Sequence, residues 1–222
     1  MRAAVITICM FVSSAAQAAS FDCAKAGTPV EKMICGNSRL SELDEHLGRY
    51  YGAARAALGR AQTCLATTQR DWLRGVRNPC RDAACLERAY LARLAELDPL
   101  QPGMTAIKNI ELPAVKALAW VIPPAEDEVA APRDPRRPPL LLTGRILDES
   151  AEGDGFVLQE STGAKHVLLA LMFIDKSSGV ALETLSRQKD ESFEARGQRE
   201  TSSDGVAHFS PGACTFIHRL PR

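Results

Sequence analysis

Six of the seven cysteines in this 222-residue chain, Cys23, Cys35, Cys64, Cys80, Cys85 and Cys214, lie beyond residue 20. They follow directly on a segment that reads as a secretory signal, and an even cysteine count in an exported chain points to disulfides rather than reactive thiols. Small domains with thin cores gain from such cross-links. The six therefore read as a covalent framework.

The signal has a short basic start at Arg2, an apolar run from Ala3 to Val12, and small residues at Ala16 and Ala18. Cleavage is expected between Ala18 and Ala19. A membrane-spanning helix needs about 20 apolar residues, and Thr7, Ser13, Ser14 and Gln17 interrupt this one well before that. An uncleaved anchor is the alternative. Cys23 follows Ser20-Phe21-Asp22, without the small aliphatic residues of a lipid-attachment site, so no lipid anchor is read. The mature chain is expected to be periplasmic or secreted, with no membrane span.

Removing the signal leaves about 200 residues, room for one medium domain or two small ones, and the texture of the chain favours two. The formal charge balances to zero. Neither a basic nucleic-acid footprint nor an acidic solvating tail is present.

Residues 19–98 are helical in pattern. Thr28-Pro29-Val30-Glu31 combines a capping residue, a proline at the first helical position and a glutamate placed for a capping box, predicting a short helix that stops at Gly36. Ser38 can cap the next. Leu40, Leu43, Leu47, Tyr50 or Tyr51, Ala54 and Leu58 then recur every three or four residues and form one apolar stripe. A third helix carries Leu65, Trp72 and Val76 and ends by Asn78-Pro79; a fourth carries Leu86, Tyr90, Leu94 and Leu97. No such stripe is stable alone in water, so the four predict a small antiparallel bundle.

Residues 99–139 read as a proline-rich linker, with room for a strand or short helix around Val115 to Val121. The blocks Glu126-Asp127-Glu128 and Arg133 to Arg137 read as solvated linker charge. Residues 140–222 alternate as strands do, over Leu140 to Leu147, Phe156 to Gln159, His166 to Leu169, Ser192 to Gln198 and Cys214 to Leu220, with a helix from Val180 to Gln188 between the third and fourth. That order belongs to small five-stranded barrels of the OB type; an open β-sandwich is the rival. The fold class is therefore α+β, a disulfide-linked helical bundle followed by a small all-β domain.

Helix geometry limits which cysteines can meet. A helix from about Ser38 to Leu58 is roughly 30 Å long, and an antiparallel third helix returns the chain by about Asn78. Cys23, Cys35, Cys80 and Cys85 then cluster at one end, paired as 23 with 35 and 80 with 85, or crosswise. Cys64 belongs to the opposite end, beyond bridging distance of those four. The fourth helix delivers the β domain to that end, so Cys64 is expected to bridge Cys214, with two free thiols as the alternative.

The helical half resembles the N-terminal domain of the LprI-like lysozyme inhibitor family. The resemblance lies in Phe21-Asp22-Cys23, Pro29-Val30-Glu31-Lys32, Ile34-Cys35, Leu40, Leu43-Asp44, Leu47 and Tyr50, then Gln69, Trp72-Leu73, Arg77, Cys80, Cys85-Leu86, Tyr90, Arg93 and Leu94. It covers residues 21–97 and nothing after. It implies an extracytoplasmic helical domain and, in at least some members, inhibition of lysozyme. It supplies no set of inhibitory contact residues. Cys64, Cys214 and the missing anchoring cysteine depart from the family pattern. Gln69 and Arg93 are read either as surface contacts or as a helix-to-helix bond.

Recognisable catalytic chemistry is missing. His46, His166, His208 and His218 are scattered without zinc spacing, and Cys80 and Cys85 have four residues between them, not the two of a redox motif. Ser210-Pro211-Gly212 is no nucleophile elbow, and no glycine-rich loop precedes a helix to cradle phosphate. Glu42, Asp44 and Glu45 read as a helix-start cluster suited to the dipole rather than as a glycosidase pair. The expectation is a non-enzymatic envelope binding protein without cofactor or metal. Its partner would be lysozyme or another cell-wall hydrolase. Residues 20–98 hold 12 Lys or Arg against 10 Asp or Glu, a balance of +2 that gives no long-range steering toward a cationic lysozyme. The alternative is an interaction or assembly module whose β domain binds a peptide, glycan or partner protein, with Phe156, Phe173, Phe193, Phe209 and Phe216 as the aromatics available for stacking.

Overall fold

The structure, a computed structural model, describes residues 19–100, 110–124, 140–149, 155–169, 192–201, 207–211 and 213–221. The expected signal segment and the expected helix at Val180 to Gln188 lie outside the described residues.

Four α-helices come first: α1 (Pro29–Cys35), α2 (Ser38–Ala57), α3 (Gln62–Trp72) and α4 (Ala83–Leu97). The capping box at α1 is formed, with the Thr28 hydroxyl accepting from the Glu31 N–H and the Glu31 carboxylate accepting from the Thr28 N–H. The Thr28 and Gly27 N–H groups, both donating to it at 2.9 Å, hold the Glu31 carboxyl below the usual carboxylate range. The cap of α2 is Asn37, one residue before the Ser38 expected, because its side-chain oxygen reaches the Leu40 N–H at 3.1 Å. The apolar stripe is buried as read, with Leu40, Leu43, Leu47, Tyr50, Ala54 and Leu58 each at most 3% exposed. Helix α2 packs on α1, α3 and α4.

The third helix departs from its expected course. Regular α-helix ends at Trp72, and Leu73–Arg77 widens into one π-helical turn closed by the Asn78 N–H on the Leu73 carbonyl. That extra residue per turn rotates Val76 out of the apolar stripe. It stands 47% exposed.

Among the described residues seven strands follow: β1 (Ala117–Val121), β2 (Leu140–Glu149), β3 (Gly155–Gln159), β4 (Lys165–Leu169), β5 (Ser192–Thr201), β6 (Ala207–Pro211) and β7 (Phe216–Arg219). Strand β2 pairs antiparallel with β3 and with β5, β3 with β4, and β5 with β6; β4 and β6 run parallel over two residue pairs. This is OB-like order, with the short parallel ladder as the thinnest seam. A Cβ at Gly144 would stand 2.7 Å from the Gln159 carbonyl oxygen, so β2 passes β3 where only glycine fits.

The last strand of that ring is β6, not the Cys214 to Leu220 segment expected from alternation. The latter holds β7, which lies outside the ring between β5 and β1. Ala207–Pro211 was illegible as a strand because a proline ends a short mixed run. Strand β1 lies within the stretch read as linker, and it is buried on both faces through Ala117, Leu118, Trp120 and Val121. One continuous apolar core therefore runs from the helices through Leu118, Trp120 and Ile122 to Phe193 and Ile217.

Candidate functional site

Two polar centres and three disulfides hold the helical half and its join to the sheet. The first centre is Asp44, on the inward face of α2 and 4% exposed. Its carboxylate accepts from the Ser20 N–H at 2.8 Å, the Ser20 hydroxyl at 2.6 Å and the Tyr90 hydroxyl at 2.7 Å, with the Arg77 guanidinium 4.0 Å away. A buried carboxylate is tolerated when its lone pairs are met in this way. Burial first, then the Asp44 charge, push the Tyr90 phenol well above its ordinary range and keep it a neutral donor. The Trp72 ring meets Tyr90 edge-on, with centroids 5.6 Å apart. The outer side of this centre opens as a cleft of about 220 Å³ lined in part by Asp44, Tyr51, Gln69, Trp72 and Arg77.

Asp44 corrects the dipole reading of the acidic cluster. No acidic residue lies in the first turn of α2. Glu42 and Glu45 instead meet neighbouring side chains on the outside, Glu42 beside Arg39 and His46, Glu45 beside Arg49. Asp44 points inward because it falls four residues after Leu40 and three before Leu47, on the stripe itself. That placement was the available signal.

The second centre surrounds Arg93, which is 4% exposed. It donates to Gln69 at 3.1 Å, Thr68 at 3.3 Å and Glu96 at 2.7 Å, so the Gln69–Arg93 pair is a helix-to-helix hydrogen bond. Glu96 also lies 3.8 Å from His218 on β7, tying α4 to the sheet. Burial alone would raise the Glu96 carboxyl, but the His218 hydrogen bond and the Arg93 charge outweigh it and hold it below the usual range.

All six framework cysteines are bridged: Cys23 to Cys35, Cys80 to Cys85, and Cys64 to Cys214. Of the two arrangements left open for the first four, the local one is formed. The third bridge joins helix α3 to the loop before β7 across 150 residues. The Arg60 guanidinium donates to the Pro124 carbonyl at 2.6 Å, so the helical half also grips the end of the β1 segment. A second, larger cleft of about 490 Å³ is lined in part by Lys116, Glu194, Arg196, Phe216 and His218, with Lys116 donating to both Glu194 oxygens at 2.8 Å.

Among the described residues, no three His, Cys, Asp or Glu side chains are grouped to hold a metal ion. His46 contacts Arg49 and Glu42; His166 and His208 lie on the paired strands β4 and β6. None of the described helices is long and apolar enough to cross a membrane.

These features define a disulfide-braced α+β protein in which a small helical bundle shares its core with an OB-like sheet. The chain is similar to Lipoprotein LprI of Mycobacterium bovis and of Mycobacterium tuberculosis, 31% identical over 88 residues. Those residues make up 38% of this chain and 43% of the relatives, so the chain spans less than half the length of the curated proteins it matches. This supports a distant LprI-like relationship. No family model and no solved structure matches the chain.

Proposed function

We propose that this chain is an exported, non-enzymatic envelope protein that binds a cell-wall hydrolase and blocks a lysozyme-like muramidase. The reading is carried by the LprI similarity over 88 residues, about the length of the helical half. The framework supports it in physical terms. Asp44, Tyr90, Trp72 and Arg93, all among the residues that resemble the family, lock the helices against one another, leaving the outer faces rigid for a partner. An inhibitor of this kind covers a cleft by shape and polar complementarity rather than by chemistry of its own.

The test is muramidase activity in the presence of micromolar mature protein, against a vertebrate-type lysozyme and a bacterial muramidase. Loss of lytic rate with either supports inhibition; full rate with both overturns it. The cleft beside Phe216 and Arg196, with Leu140 and Leu141 exposed nearby on β2, favours a second reading, an assembly module that binds its partner through the sheet. Retention of an envelope partner by the intact protein, lost on Arg196→Glu, would support that reading in place of the first.

A further inference from the structure

Leu73–Arg77 is the one place in the described helical half where a large apolar side chain is left in water, at Val76. π-helical turns cost regular hydrogen bonding and are found disproportionately at functional sites. Here the turn leads into an exposed run, with Arg74, Gly75, Val76, Asn78, Pro79 and Arg81 all facing solvent. The run is nevertheless pinned. Asn78 N–H bonds the Leu73 carbonyl at 2.9 Å, Cys80 N–H bonds the Arg77 carbonyl at 3.2 Å, and buried Cys80 is bridged to Cys85 at the start of α4. A protruding loop held this way loses little conformational freedom on binding.

Its charges point to an acidic partner surface. Arg81 is exposed, and its guanidinium has no partner among the described residues. Arg74 donates to Asp71 at 3.0 Å and to the Arg70 carbonyl at 3.4 Å, and the Arg74 and Asp71 side chains are both largely in water, where such a pair is worth little. Asp82 is committed to the Cys85 N–H at 2.7 Å as the cap of α4. Arg77 faces Asp44. Two exchangeable guanidinium groups thus flank an apolar tip.

Resting on the muramidase reading above, we propose that the loop from Arg74 to Arg81 is the segment that enters the hydrolase cleft. Val76 packs against the apolar wall of that cleft, and Arg81, with Arg74, pairs with its two carboxylates. A glycosidase cleft offers two such carboxylates, roughly 5–10 Å apart, and guanidinium meets carboxylate bidentately.

Gly75 is an exposed position for added bulk, since a Cβ there meets nothing within 4 Å. Gly75→Trp adds bulk to the tip, Arg81→Glu reverses its free charge, and Lys165→Glu makes a charge change on β4 as control. Inhibition constants are measured for each against a vertebrate-type lysozyme and a bacterial muramidase, with circular dichroism and melting curves alongside. The expected result is inhibition by the wild type, weakened tenfold or more by Gly75→Trp and by Arg81→Glu, and unchanged by Lys165→Glu, with all melts alike. Wild-type inhibition undiminished by both loop changes overturns the loop assignment and leaves the inhibitor reading standing. Absence of wild-type inhibition overturns both.

Discussion

Removing the Cys64–Cys214 bridge should cost more than removing either of the other two. It closes a span of 150 residues, against 12 for Cys23–Cys35 and 5 for Cys80–Cys85. Loop closure in the unfolded chain makes the long bridge worth about 5 kcal/mol, against about 3 and about 2 for the short ones. The choice of replacement matters because Cys214 sits at φ 56°, in the left-handed region. Glycine takes that conformation freely, whereas alanine carries roughly 1 kcal/mol of strain or more. Cys64 is 2% exposed, so alanine there keeps the site apolar. The clean comparison is Cys64→Ala with Cys214→Gly against the oxidised wild type, in guanidinium unfolding followed by circular dichroism. With a slope of roughly 2–6 kcal/mol per molar, the midpoint should fall by about 0.8–2.5 M. Cys64→Ala with Cys214→Ala should fall somewhat further. A midpoint within a few tenths molar of wild type, or a larger loss on removing Cys80–Cys85, would refute the loop-closure reasoning.

Asp44→Ala should destabilise the protein by about 3–5 kcal/mol, because it strands Tyr90 as a buried donor and Arg77 as a half-buried one; Tyr90→Phe should cost less, and a double-mutant cycle by thermal melting reads their coupling. Glu96 has a folded-state pKa held below its unfolded value, so its contribution is present above the ordinary carboxylate range and lost as pH falls through the lowered one. Glu96→Gln should therefore flatten that acid limb in a series of melts from pH 6 to pH 3. A fragment of residues 110–222 should give a β-type circular dichroism spectrum, while residues 138–222 should unfold at lower denaturant because they lack β1, the partner that covers Ile217.

Periodicity made the helices legible, since a stripe such as Leu40, Leu43 and Leu47 has one structural meaning once it repeats over several turns. The buried role of Asp44 was harder to see because a carboxylate on a stripe looks like an interruption until its donors are known, and Ser20 and Tyr90 come from distant parts of the chain. Val76 was misplaced for the opposite reason. It kept helical spacing from Trp72, but the π-turn shifted the phase. Among the strands, alternation located β2 to β5, whereas the choice of β6 over β7 as a ring member depends on parallel pairing with β4, which leaves no local mark in sequence.

The spacing of the three bridges sets an order in time when the chain emerges from its N-terminus. Cys23 meets its partner after 12 further residues and Cys80 after 5, so both can oxidise almost as soon as they appear. Cys64 must wait for 150. Throughout that interval it is a thiol whose only correct partner does not yet exist, while Cys23 and Cys35 have already emerged and Cys80 and Cys85 follow within 21 residues. Prompt closure of the two local bridges removes those four as competitors. The faithful pairing of the last bridge then depends on the speed of the first two, and slowing oxidation early should trap Cys64 in wrong pairings that an isomerase has to undo.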